Sequence, residues 1–114
     1  MKLVKKPISI QELKKTAKQK FGNLVKAVVD IDKNIMAIDA ELHADQESFL
    51  IEKGSSQKNL WGINLYPEKF ETPDFIEFDS MINLRPSQNN LSRDIKNKKI
   101  REKIKKIVHK LIKP

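Results

Sequence analysis

His43 and Asp45 stand one residue apart in the middle of the chain, and Arg85 and Arg93 bracket a polar run that includes Asn89. Histidine serves as acid, base or metal ligand, and arginine grips phosphate or carboxylate through paired donors. Gathered at one strand end, His43, Asp45, Arg85, Asn89 and Arg93 would hold an anion or perform general acid–base work on a phosphodiester. A structural reading competes: a lone histidine beside a loop more often makes a fixed hydrogen bond, and Arg85 can answer nearby acids. A second set is acidic. Asp39, Glu41 and Asp79 would share a magnesium or manganese ion if brought together, or split into an acid and a base.

Strand parity sharpens that second set. Read as alternating strands, the chain turns Asp39, Glu41, Glu77, Asp79, Asn64, Tyr66, Asn83 and Arg85 to the same sheet face. The competing reading is a solvated outer face. Other familiar chemistry is missing: there is no glycine-rich phosphate loop, no HExxH, no calcium loop and no strand-borne aromatic pair for stacking RNA bases. Ser80, Ser87 and Ser92 have no histidine nearby in sequence. With no cysteine, disulfides and cysteine-ligated metals are excluded.

The elements that must position these groups are legible in part. Ser9 and Glu12 have capping-box spacing, and Ile10, Leu13, Ala17 and Phe21 share one helical side that Gly22-Asn23 ends. Near the C-terminus, Ile100, Ile104, Ile107, Val108, Leu111 and Ile112 form a buried stripe, with Asn97 as cap and lysines elsewhere. Four strands are expected between the helices: 24–31 and 35–42 joined at Asp32-Lys33-Asn34, then 60–66 and 75–85. Ser80 and Met81 fall out of phase in the last run, which suggests a bulge or break there. Residues 44–53 read as a short helix closed by Gly54, with an irregular strand as the alternative. Trp61-Gly62 reads as architecture, the glycine permitting close backbone approach.

A four-stranded, mainly antiparallel sheet with one oily face calls for cover on that face. The N- and C-terminal amphipathic helices supply it, giving an α+β two-layer sandwich in one domain over residues 1–114. No run approaches the roughly 20 apolar residues of a membrane span, and the basic start lacks the apolar stretch of a secretion signal. A soluble, cytoplasmic protein is expected.

The net charge of +8 is unevenly placed. Residues 1–26 hold eight lysines against one glutamate, residues 27–92 five basic against twelve acidic groups, and residues 93–114 ten basic against two acidic. Both ends are cationic and the middle is anionic. Lys99, Lys103, Lys106 and Lys110 of the last helix therefore suit an anionic partner, nucleic acid or an acidic protein, although lysines that merely face water satisfy the same pattern.

The strings Asp39-Ala40-Glu41-Leu42-His43-Ala44-Asp45, Asn59-Leu60-Trp61-Gly62-Ile63-Asn64-Leu65-Tyr66-Pro67 and Ile76-Glu77-Phe78-Asp79-Ser80-Met81-Ile82-Asn83-Leu84-Arg85-Pro86 resemble a family of small prokaryotic proteins classed as a domain of unknown function. The likeness extends from Pro7-Ile8-Ser9 to Ile100-Arg101-Glu102-Lys103-Ile104. Where that family tends to carry Gln-Gly-Asn, this chain reads Gln88-Asn89-Asn90. The resemblance implies a prokaryotic cytoplasmic origin and transfers no activity. Taken together, the sequence favours a non-enzymatic binding or interaction domain, monomeric or homodimeric, with basic helical surfaces. The alternative is a small phosphodiester-acting or metal-dependent hydrolase using the polar sheet face, with His43, Arg85, Arg93 and Tyr66 as its candidates.

Overall fold

Ser9 caps the first helix as its spacing to Glu12 requires, its Oγ accepting from the Glu12 amide at 3.1 Å. That helix, α1 (Ile10–Gln19), lies in a computed structural model that describes residues 1–114. Two short strands precede it, β1 (Lys2–Val4) and β2 (Ile8–Ser9). Gly22, at φ +88°, closes the helix with its amide returning to the Ala17 carbonyl at 2.7 Å, a left-handed conformation that glycine adopts without strain.

The expected hairpin follows as β3 (Val25–Asp30) and β4 (Ile35–Ile38). Asp30 organises its turn, Oδ1 accepting from the amides of Asp32 and Lys33, both at 2.9 Å. Next come α2 (His43–Glu52), β5 (Leu60–Leu65), the two-residue β6 (Ile76–Glu77), α3 (Lys98–Leu111) and β7 (Ile112–Lys113). Asn97 caps α3 as expected, accepting from the Ile100 amide at 3.1 Å.

The main sheet has five strands in the order β1-β4-β3-β5-β6, every neighbouring pair antiparallel. The expected count of four misses β1, which joins the β4 edge with Val4 opposite Met36. A separate parallel pair, β2 with β7, ties the start of α1 to the end of α3. Helices α1 and α3 cover one face together. Leu13 and Ala17 from α1 and Ile104, Val108 and Leu111 from α3 are buried with Val25, Ala27, Val29, Met36, Ile38, Trp61, Ile63 and Leu65 of the strands. Removing this apolar surface from water is the main force holding the layers together.

The second face is not open, which corrects the expected polar platform. Helix α2 packs there, and Leu50 meets Val28, Ala37 and Leu60 in a smaller apolar cluster. Strand β4 stops at Ile38 because Asp39 turns to φ +64°, so Asp39 and Glu41 leave the sheet. The expected strand 75–85 shrinks to β6. Ser80 Oγ accepts from the Ile82 amide at 3.3 Å and starts a 3₁₀ turn over Met81–Asn83, the break that its phase signalled. A second such turn, Pro86–Gln88, ends at Asn89 with φ +57°; asparagine tolerates the left-handed region better than other side-chain-bearing residues do.

Candidate functional site

Four backbone groups at the sheet margins, on Lys26, Gly62 and Leu60, find side-chain partners where a neighbouring strand is missing. β4 has turned away beside Lys26, and the Gln46 side-chain amide donates to the Lys26 carbonyl at 2.8 Å. β6 is too short to reach Gly62, whose amide donates to Asn83 Oδ1 at 2.8 Å while its carbonyl accepts from Asn83 Nδ2 at 2.9 Å. Farther along β5, Arg85 donates through Nη2 to the Leu60 carbonyl. Buried backbone groups need such partners, and here polar side chains replace strands.

Arg85 is consumed by this duty. Nε donates to the Ile82 carbonyl at 2.9 Å, Nη1 to the Gln57 carbonyl at 2.9 Å and to Gln88 Oε1 at 3.2 Å, and Nη2 also to Glu47 at 3.2 Å. The guanidinium lies 4.7 Å from the centre of the Trp61 ring and is 8 % exposed, so no donor remains for a ligand. Burial pushes its pKa down and Glu47 opposes that, leaving a charged group pinned inside the protein. Asn83 and Asn90 are likewise internal. Asn90 Nδ2 donates to the carbonyls of Asn83 and Asp94, both at 2.7 Å, and so fixes the 83–94 loop.

That loop brings Arg93 to His43. A cleft of about 170 Å³ lies between the first turn of α2, β3 and the Ser80 turn, with Lys26, His43, Ser80 and Arg93 among its walls. Leu42 and Met81 stand at its margin, 55 % and 62 % exposed. Gly62 lies beneath the Ser80 and His43 side chains: a Cβ there would lie 2.6 Å from Ser80 Oγ and 3.2 Å from His43 Cδ2, so only glycine admits both. His43 Nε2 lies 2.8 Å from the Ile63 carbonyl and donates to it, which leaves Nδ1 with a free lone pair. Arg93 Nε donates to Asp79 Oδ1 at 2.7 Å, leaving its Nη groups unengaged.

Of the other candidates, Asp45 sits exposed in the first turn of α2 and Asn89 is exposed in its turn. Tyr66 donates its hydroxyl to Glu77 at 3.0 Å, outside the cleft; burial first, and that carboxylate second, raise its pKa and keep it a donor. The acidic trio is dispersed. Asp39 faces Lys20 at 3.6 Å, Asp79 holds Arg93, and no group of three His, Cys, Asp or Glu side chains has metal-holding proximity. His43 and Arg85 also part company, bonding carbonyls three residues apart on β5, roughly 10 Å along the strand. A larger hollow of about 420 Å³ beside α3 has Glu71, Lys105 and His109 in its walls, but these are all solvent-exposed. Sequence reasoning missed Lys26, Gln46 and the contact of Gly62 with Ser80 and His43; of these only Gly62, next to Trp61, carried a signal.

Burial lowers the pKa of His43 from its ordinary 6.5, and Lys26 and Arg93 add to the effect, while the Ile63 hydrogen bond and Asp79 oppose it. The unfolded chain therefore takes up a proton before the folded one does. This group's contribution to stability is fully present above pH 6.5 and is lost as pH falls toward the folded pKa. In urea unfolding, the parent is expected to weaken through that window more steeply than His43→Gln, which keeps a donor for Ile63 but does not titrate. Identical pH profiles would contradict this assignment.

No curated protein and no solved structure matches the chain. A family model does, over residues 2–111, so the chain belongs to the family described as Protein of unknown function (DUF5674).

Proposed function

We propose that the protein is a non-enzymatic binding domain that docks nucleic acid on the basic outer surface of its helical layer. The observation that carries this reading is the uncompensated charge of α3: of its lysines only Lys105 has a carboxylate partner, Glu102 at 3.6 Å. Lys99, Lys103, Lys106 and Lys110 follow one another at spacings of four, three and four residues, a stripe about 16 Å long at ~1.5 Å rise per residue. An extended polyanion meets such a stripe at several phosphates. A membrane surface is disfavoured because the apolar stripe of α3, Ile104, Ile107, Val108 and Leu111, is spent in the core and has nothing left to insert.

The test is salt-dependent binding to single- and double-stranded oligonucleotides. Log affinity should fall linearly with log salt concentration. Replacing Lys99, Lys103, Lys106 and Lys110 together with glutamine should flatten the slope by about 3 units, at roughly 0.7–0.9 for each phosphate that no longer meets a lysine. These side chains are exposed, so the variant should unfold at the same urea concentration as the parent. Salt-insensitive binding, or an unchanged slope in the variant, would refute the reading. Retention of an acidic protein in place of nucleic acid would refute it too.

A further inference from the structure

Leu42 occupies the N-cap of α2, and no side chain caps that helix. The amides of His43 and Ala44 consequently have no protein acceptor, at the positive end of a ten-residue helix, and both residues line the 170 Å³ cleft. A second, independent feature points at the same space. His43 is only 8 % exposed, and its Nδ1 has no protein partner. The Nε2–Cδ2 edge of the ring faces the sheet, against the Ile63 carbonyl and Gly62, so Nδ1 lies on the side away from the sheet. Lys26 and Arg93 stand at the same cleft, and Lys26, whose Nζ lies 5.1 Å from the centre of the Phe21 ring, pairs with no carboxylate. Asp79 takes the Nε edge of Arg93, leaving the local balance of these three charges positive.

The donors and the acceptor select a ligand chemistry. Two cationic side chains and two helix amides call for an anion with several oxygens. A neutral imidazole that donates through Nε2 offers a lone pair at Nδ1, which calls for a ligand hydrogen. Carboxylate and sulfate near pH 7 have no such hydrogen, whereas phosphate in its monohydrogen form has one. We propose that the cleft is a phosphate site, in which Lys26, Arg93 and the amides of His43 and Ala44 donate to the phosphate oxygens while His43 Nδ1 accepts from the P–O–H. Ligand pockets for drug-sized molecules run to roughly 300–1,000 Å³. The cleft is smaller than that and admits the phosphate group alone. Burial keeps the ring neutral near pH 7, in line with its role as acceptor.

The chain has two histidines, so side-chain NMR reports on this site with a built-in reference at His109. Inorganic phosphate, phenyl phosphate and sulfate are titrated at pH 7 and matched ionic strength. The His43 signals should shift and saturate with phosphate, with sulfate binding at least about tenfold more weakly and His109 unmoved. Phenyl phosphate loses its second proton at a pKa of about 6 and so, like sulfate, offers Nδ1 no hydrogen at pH 7; it should bind more weakly than inorganic phosphate, and equally tight binding would overturn the acceptor role of Nδ1. Arg93→Gln, at a half-exposed position, should weaken phosphate binding about tenfold or more. The site is overturned if phosphate and sulfate act alike, if both histidines drift together, or if Arg93→Gln and Lys26→Gln bind phosphate as tightly as the parent. None of these readouts involves the lysine stripe of α3, so failure of nucleic-acid binding leaves the outcome independent.

Discussion

Arg85→Met is expected to lower the free energy of unfolding by about 3–5 kcal/mol, the cost of leaving one member of a buried ion pair alone. Glu47, 14 % exposed, would lose its cationic partner, and the carbonyls of Leu60, Gln57 and Ile82 would lose donors. Against a total stability of roughly 5–15 kcal/mol for an ordinary domain, that is a large share. Urea unfolding should show a lower midpoint. Arg85→Lys serves as the second variant, because it keeps a charge for Glu47 but has three donors in place of the five-donor fork. It should fall between parent and Met. Glu47→Gln alone should cost less, and the double variant less than the sum of the singles, since the stranded carboxylate is then absent. A loss below about 1 kcal/mol for Arg85→Met would show that these contacts are worth no more than an exposed pair.

This result bears on how an arginine is read from sequence. Arg85 lies in a polar stretch after an apparent strand, and by type it suits an anion site as well as a structural role. What decides the matter is which carbonyls lie without strand partners, and that depends on where β6 stops and β4 turns away. Neither boundary is written locally. Asp39 carries the left-handed turn that ends β4, yet nothing beside it announces the turn as Gly22 announces the end of α1. Local signals were legible: the Ser9 and Asn97 caps and the Asp32-Lys33-Asn34 turn fall where side-chain spacing placed them. The helix expected over 44–53 with Asp45 as cap runs over 43–52 with Leu42 at its N-cap. The apolar stripes of α1 and α3 pack on the core, except that Phe21 lies beyond α1, exposed, and Ile112 belongs to β7. Long-range signals were not. The pairing of β1 with β4 and of β2 with β7 joins residues 32 or more positions apart through strands of two to four residues, too short for alternation to register. The cleft shows both cases at once: His43 and Arg93 stood out by residue type, whereas Lys26 was indistinguishable from its solvent-facing neighbours.

Asn83→Ala should have the second large effect, about 2–4 kcal/mol, because Asn83 stands in for a missing strand. Its side chain satisfies the amide and carbonyl of Gly62 together within the buried interior and also donates to the part-buried Arg93 carbonyl at 3.0 Å. Each buried group left unpaired costs about 1–3 kcal/mol, and water has no easy route to them because Gly62 is covered by Ser80 and His43. Asn83→Asp separates the terms. Aspartate still accepts from the Gly62 amide but presents an oxygen, not an N–H, to two carbonyls, so it should be less stable than alanine at neutral pH and recover on acidification as the carboxyl gains a donor proton. Hydrogen exchange supplies the local readout: the Gly62 amide, protected in the parent and in Asn83→Asp at low pH, should exchange much faster in Asn83→Ala than amides of β3 that keep their strand partners. Equal protection at Gly62 in parent and Asn83→Ala would mean that the asparagine is not the partner completing this edge. The same loop carries Ser80 and Arg93, so the bond that closes β5 is also the one that holds two walls of the cleft in register with His43.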